Sequence, residues 1–419
     1  MPLKPSPILC VKCKGMKRLC GLDYCPRLLR LHSTLKALDK IRKDEVLFGA
    51  TPPSLIVGEY NYPIVSVLPA IPPEITGANA KKFDNPEVWW GKLNINDIIN
   101  LRSTLIHAKT RFRVDKVRQL LERDRIYNEI ALAIMSIKPV DTEVKLKSKP
   151  IPRITFDDQV KPMGPSAPLE KLQVVQNPVI PRKIDQVVHD DLKAVDAVIT
   201  LYKHGLSIYD IIRVFSLGLL GKRKKMVPTR WSITAVDKIV GDYLLNMVRK
   251  KPVINEIRLY NVTYLDNHFE ILLLPQIYSY ELVEVWHPNT LWTPKALSPI
   301  VVSNYELWNG ILRGEMDGGY YAIRTGILEG LLKIGYQATV FVVREIGPGY
   351  YTPVGNWHLR ESVKRAFQMR YEKYDNVKEA IDAMRKRLRA PISIVLRKSR
   401  IIKMISHQLT LKSFLNKSL

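Results

Sequence analysis

Cys10, Cys13, Cys20 and Cys25 are the only cysteines in a chain of 419 residues, and they all lie in its first 25. The run CVKCKGMKRLCGLDYC spaces them as C-x2-C-x6-C-x4-C. Zinc(II) takes four thiolates in a tetrahedron, and an opening C-x2-C has the usual knuckle spacing. Gly15 and Gly21 each follow closely on a cysteine and would let the backbone wrap the ion. Lys12, Lys14, Lys17 and Arg18 crowd the same segment, where they would favour thiolate and give the module a cationic face. Four ligands leave no open position, so the expected cofactor is a structural zinc ion. A redox pair or unrelated thiols are the alternatives, and the confinement of all four to one segment argues against both.

Three further stretches carry residue types that do chemistry. In GLLGKRKKMVPTRWSITAVDK (218–238), the cations Lys222, Arg223, Lys224 and Lys225 precede Thr229, Arg230, Trp231, Ser232 and Thr234 at an expected helix start. Hydroxyls and an arginine at a helix N-terminus suit a phosphate, although no Walker loop is present; a capped helix after a solvated basic loop would read the same way. In REIGPGYYTPVGNWHLRE (344–361), a strand runs through a Gly-Pro-Gly turn into a helix. Here Arg344 and Arg360 would bind phosphate, the aromatics would stack on bases, and Glu345, His358 and Glu361 are candidates for acid–base work. The competing reading is a set of internal Arg–Glu pairs that close a loop on the core. The third stretch, His189-Asp190-Asp191, offers hard-metal ligand types, but adjacent side chains diverge, and Asp is also a common helix cap. No Ser-His-Asp arrangement, G-x-S-x-G, H-E-x-x-H or dinucleotide fingerprint is found, so no standard enzyme class is indicated.

The net charge of +25 is unevenly placed. Residues 1–50 hold 11 Lys/Arg against 4 Asp/Glu, and residues 360–419 hold 16 against 5, which leaves only +7 for everything between. Cationic ends on a nearly balanced body suggest a polyanionic partner such as nucleic acid. No apolar stretch approaches the ~18 residues of a membrane span, and MPLKPSPILC lacks the apolar core of a signal peptide. The chain is therefore expected to be cytoplasmic, with no membrane partner.

These residues must be held by a scaffold, and the pattern predicts a mixed α+β one. Helices are expected over 26–43, 95–108, 114–136, 190–204, 207–217, 233–249, 317–334, 358–370 and 376–389. Short β-branched runs between Pro and Gly over 48–74 predict strands, as do 254–264, 267–274, 278–286 and 337–345, with a hairpin turn at 266–268. Eight prolines in 138–182 exclude regular helix, and the apolar content of that segment predicts an extended strap packed on the body. PISIVL (391–396) reads only as a short apolar run.

The last twelve residues, QLTLKSFLNKSL, place Leu411, Phe414 and Leu415 on one face of a helical turn, with Gln408 one turn earlier. This pattern resembles the peptides that bind the ring-shaped DNA sliding clamp (PCNA), which implies an apolar plug for a clamp pocket. Together with the cysteine cluster, PPSLIVGEYNYP (52–63), KPMGPSAPL (161–169), VPTRWSITAVD (227–237) and REIGPGYYTPVGNWHLRE, the tail makes nearly the whole chain look like the archaeal Nre DNA-repair proteins. The resemblance implies a larger N-terminal and a smaller C-terminal domain and a role in DNA-damage tolerance through the clamp, but supplies no catalytic residues. The expected layout is a zinc knuckle at 1–30, an N-terminal domain at 31–290 that includes the strap, a C-terminal domain at 291–400 and a clamp-binding tail at 401–419. The leading expectation is a repair factor recruited to the clamp by Gln408, Leu411, Phe414 and Leu415 and touching DNA through its basic and zinc-bearing regions. The alternative is a hydrolase or nuclease-like enzyme acting on nucleic acid or a nucleotide-derived metabolite.

Overall fold

The computed structural model describes residues 45–51, 54–150, 164–176, 178–288, 290, 293 and 296–407, together with the single positions Cys13, Lys17, Leu19, Cys25, Leu35 and Leu38. Cys10, Cys20, most of the expected helix 26–43 and the peptide from Gln408 to Leu415 lie outside the described residues. The fold is α+β, with two sheets and many helices. It divides into two compact units, Met1–Tyr243 with Thr352–His358, and Leu244–Tyr351 with Leu359–Leu419.

The first unit is built on a six-stranded sheet of β1 (Val46–Thr51), β2 (Leu55–Val57), β3 (Ile64–Ile71), β4 (Ile106–Arg113), β5 (Val140–Leu146) and β6 (Ser166–Val174), in the order β1-β5-β6-β4-β3-β2. All its pairings are antiparallel except β4 with β6. The proline-rich strap thus supplies two strands of this sheet, with Pro168 at the parallel junction, where it faces Lys109 across the register. The helix expected over 95–108 stops at Ser103, after α1 (Pro86–Trp89) and as α2 (Ile95–Ser103). The next residues, IHAKTRFR, gain pairing from strands on both sides, and that tertiary context overrides helix periodicity. The helix expected over 114–136 is two, α3 (Val117–Arg123) and α4 (Arg125–Met135). Asp124 separates them and caps the second through the Tyr127 amide at 2.8 Å. Helices α5 (Arg182–His189), α6 (Ala194–Lys203), α7 (Ile208–Ser216) and α8 (Thr229–Val248) complete the unit, α8 running on into the second. His107 is fully buried beside β6, and burial pushes its imidazole down to about 4, so it is neutral in the fold.

The second unit holds a seven-stranded sheet of β7 (Ile257–Tyr264), β8 (Asn267–Leu274), β9 (Ser279–Trp286), β10 (Ile300–Glu306), β11 (Leu312–Arg313), β12 (Thr339–Ile346) and β13 (Glu372–Tyr374). Its order is β11-β10-β9-β12-β8-β7-β13, with β12 parallel to β9. Its helices are α9 (Gly318–Ile334), α10 (Trp357–Ala366, whose first two residues fall in the first unit), α11 (Val377–Arg387), α12 (Ile392–Lys398) and α13 (Ile401–His407). The β7–β8 turn sits one residue earlier than its sequence signal, at Leu265 and Asp266, both at positive φ as a type I′ turn requires. PISIVL is the start of α12, with Pro391 as its N-cap.

Alternation along β8, β9 and β12 sends Leu272, Val283, Val285, Phe341 and Val343 into the core beneath α11 to α13. Three glutamates share that face, and each holds part of the C-terminal helical segment. Glu270 takes the Arg387 guanidinium through both oxygens, at 2.6 and 2.9 Å. Glu345 accepts from the amides of Arg389 and Ala390, at 2.9 and 2.7 Å. Glu281 accepts from Ser303, Ser399 and the amides of Arg400 and Ile401, all within 2.9 Å, which caps α13 from inside the sheet.

Candidate nucleic-acid interface

Loop 218–228 turns back on itself at Gly218, whose φ is +83° and whose α-carbon lies so close to the backbone of Lys225 and Met226 that a side chain would collide. The fold-back delivers Thr229 to the start of α8 and aims it at β2, where its hydroxyl accepts from the Val57 amide at 2.8 Å and meets Ser216 at 3.1 Å. Ser232 bonds the Val227 carbonyl at 3.1 Å. Both hydroxyls proposed from sequence as phosphate contacts are therefore engaged internally, Thr229 pinning α8 to β2 and Ser232 closing the turn that enters the helix.

This pin brings two motifs together, VPTRWSITAVD and the VGEYNYP segment that follows β2. Glu59 pairs with Arg230 at 3.4 Å and accepts from the Trp231 indole nitrogen at 3.1 Å. The rings of Trp231 and Tyr62 lie 5.6 Å apart, and the Lys225 ammonium sits 5.5 Å from the centre of Tyr62. Asn61 turns the loop at φ 63°, and Tyr60 projects beyond it. Tyr60, Tyr62 and Trp231 are 72, 41 and 46% exposed, and it is their grouping in two motifs that meet, more than any single value, that marks the surface. Lys222, Arg223, Lys225 and Arg230 are exposed around them. Arg111 and Arg113 are exposed on β4, in register with Ser66 and Ile64 of β3, the strand that this loop enters. Lys224 differs from its neighbours: its ammonium is turned inward to the Val188 and Leu219 carbonyls, and burial together with the nearby Arg118 lowers its pKa. Open rings interleaved with cations form a surface that can stack unpaired bases while holding their phosphates. Tyr60, Tyr62 and Glu59 were missed as site residues, although two tyrosines flanking a turn-forming Asn between two apolar strands are a legible cue.

The 344–361 stretch is placed differently. Arg344 is buried against Glu284 at 2.5 Å and Asn267 at 3.0 Å, with its guanidinium 5.5 Å from the Trp286 ring. Burial raises the Glu284 carboxyl against the opposing pull of Arg344. Glu345 is engaged by His287 at 3.2 Å as well as by the two amides; burial works to raise its pKa, but those partners outweigh it and hold the carboxyl below its ordinary value. Gly347 and Gly349 press on the Asp266 carboxylate, which accepts from the Gly349 amide at 2.7 Å, so the Gly-Pro-Gly turn is fitted to the β7–β8 hairpin. In the first unit, Trp357 stacks edge-on against Trp89 at 5.5 Å, and His358 bonds the Gly355 carbonyl at 2.7 Å. Arg360 and Glu361 are buried as well. All five candidate residues of this stretch thus lie in the interior.

His189 is the last residue of α5, Asp190 and Asp191 follow it, and none of the three caps a helix start; Lys193 precedes α6. Among the described residues, no group of three or more His, Cys, Asp or Glu could hold a metal ion. No helix among them is long and apolar enough to cross a membrane.

With this geometry in place, comparison with known proteins gives two family matches. Residues 19–293 match the model of the archaeal Nre N-terminal domain, and residues 311–414 that of the C-terminal domain. The chain belongs to the archaeal Nre family. It is 37% identical over 392 residues to the DNA repair protein NreA of Archaeoglobus fulgidus, covering 91% of this chain and 94% of the relative. It is 32% identical to NreB of the same organism (94 and 97% covered) and 32% identical to NreA of Haloferax volcanii (77 and 78% covered). No solved structure matches. Both motifs that meet at the exposed aromatic surface of this Nre chain lie inside the N-terminal match.

Proposed function

We infer that this Nre chain is a DNA-repair factor whose first unit binds single-stranded nucleic acid on the surface formed by Tyr60, Tyr62, Trp231, Lys225 and Arg230. The observation that carries the reading is the exposure of three large aromatic side chains among cations whose charge faces outward. The three relatives, DNA repair proteins all, support the same process. In this reading bases stack on the rings, and the phosphates displace Glu59 from Arg230. Fluorescence anisotropy of a labelled oligothymidylate tests it. Trp231→Ala and Tyr62→Ala should each weaken binding by roughly tenfold or more, given ~1–3 kcal/mol per stacked base. Unchanged affinity in both would remove the reading.

Two further parts of the function rest on sequence. Cys10, Cys13, Cys20 and Cys25 would hold a structural zinc ion and add a cationic contact to DNA; metal analysis of wild type against Cys13→Ser, with one ion expected and then lost, tests it. Gln408, Leu411, Phe414 and Leu415 would recruit the chain to the sliding clamp. Calorimetry with the clamp should show binding by the wild type and none by Phe414→Ala.

A further inference from the structure

A groove of about 840 Å³ opens on the second unit. Its walls are the β8–β9 turn (Gln276, Ile277), the β10–β11 hairpin (Leu307, Trp308) and helix α13 (Ile401, Met404). The α13 wall is fixed by the Glu281 cap, and the backbone of Trp308 is held by the hydrogen bond its amide donates to the Ser279 hydroxyl at 3.0 Å. Trp308 is nevertheless 57% exposed, and Ile277 and Met404 are also open to solvent. A rigid frame that presents an uncovered Trp, Ile and Met has the make-up of a peptide-docking pocket, and the volume suits one apolar turn of helix.

Charge says which occupant fits. Arg400 and Lys403 line the groove, and among the described residues no acidic one does. The stretch Arg397–Lys398–Ser399–Arg400–Ile401–Ile402–Lys403 puts four cations in seven residues, and residues 383–407 hold eight Lys/Arg and no Asp or Glu. The segment 408–419 carries two lysines and no Asp or Glu, so as an occupant it would bring like charge. The geometry points to a partner protein that docks an amphipathic segment in this groove, with apolar residues against Trp308, Ile277 and Met404 and acidic residues toward Arg400 and Lys403.

A display library of random twelve-residue peptides, selected on the full-length chain and counter-selected on Trp308→Ala, tests this. Enriched peptides should combine apolar residues at helical spacing with net negative charge. A representative labelled peptide should bind Trp308→Ala at least tenfold more weakly, and Arg400→Glu/Lys403→Glu should reverse its charge preference. Four outcomes would overturn the proposal. They are enrichment without acidic bias, binding indifferent to Trp308, binding that appears only when 408–419 is deleted (the tail being the occupant), and self-association of the chain abolished by Trp308→Ala (a second copy being the occupant). A Trp308→Ala protein whose far-ultraviolet circular dichroism and urea midpoint match wild type would place the loss in the groove, since its side chain is 57% exposed.

Discussion

Two stretches of this chain look alike in composition and are used in opposite ways. Both VPTRWSITAVD and REIGPGYYTPVGNWHLRE interleave arginine, acid and aromatic side chains at the entrance to a helix. In the first, Arg230 and Trp231 point outward and share the half-exposed Glu59. In the second, Arg344 and Glu345 are sealed in the sheet, where Glu284, His287 and backbone amides consume their charges. The difference lies in what each stretch is joined to. Arg344 and Glu345 sit on a strand with neighbours on both sides, so each side chain faces a packed layer. Arg230 and Trp231 sit on the first turn of a helix that is pinned through the neighbouring hydroxyl, which leaves their sides free. Charge and aromaticity therefore mark where strong interactions occur, and the scaffold decides whether the partner is internal or a ligand.

The largest expected effect tests the buried side of this contrast. Glu281→Ala would leave the Arg400 and Ile401 amides and two serine hydroxyls without their carboxylate, costing about 3 kcal/mol or more. Urea unfolding followed by circular dichroism should show it, and a loss under about 1 kcal/mol would mean that the anchor is incidental. A similar size is expected for pH. His107 is held neutral in the fold, so its contribution is intact above its unfolded value near 6.5 and is lost as pH falls toward about 4. That is on the order of 3 kcal/mol across the window, and His107→Gln should flatten the slope of stability against pH there. A wild-type profile with no slope in that window would contradict the buried neutral imidazole.

Smaller effects belong to the exposed side. Lys225→Ala and Arg230→Ala should each lower the salt dependence of DNA binding by close to one counterion, with only modest loss of affinity at low salt. Lys224→Ala should instead lower stability and leave the salt slope unchanged, because its ammonium is turned toward carbonyls. Equal slopes for Lys224 and Lys225 variants would erase the distinction between them. The smallest change is Glu59→Gln, which frees Arg230 from an exposed ion pair worth under about 1 kcal/mol and should tighten DNA binding by about twofold.

Much of this architecture was legible beforehand. The α+β class and the strands at 257–264, 267–274 and 279–286 followed from β-branched runs and turn residues, and α9 and α11 from helical periodicity. The parts that were not legible share a cause. The strap's two strands and β4 exist because of partners far away in sequence, which local periodicity does not report. At the candidate interface the cations and Trp231 were visible, whereas the pairing of Glu59 and Tyr62 with α8 depends on a bond between residues 57 and 229. The three glutamate anchors were hidden for the same reason: each looks like any strand acid until the helix amides that it serves are in place.

The most direct test of the exposed-surface account is photocrosslinking of a single-stranded oligonucleotide that carries 5-bromodeoxyuridine, with adducts mapped by mass spectrometry. The account predicts adducts on Tyr60, Tyr62 and Trp231, lost when excess unlabelled oligothymidylate is added. Adducts confined to other residues, with all three rings unmodified, would contradict it.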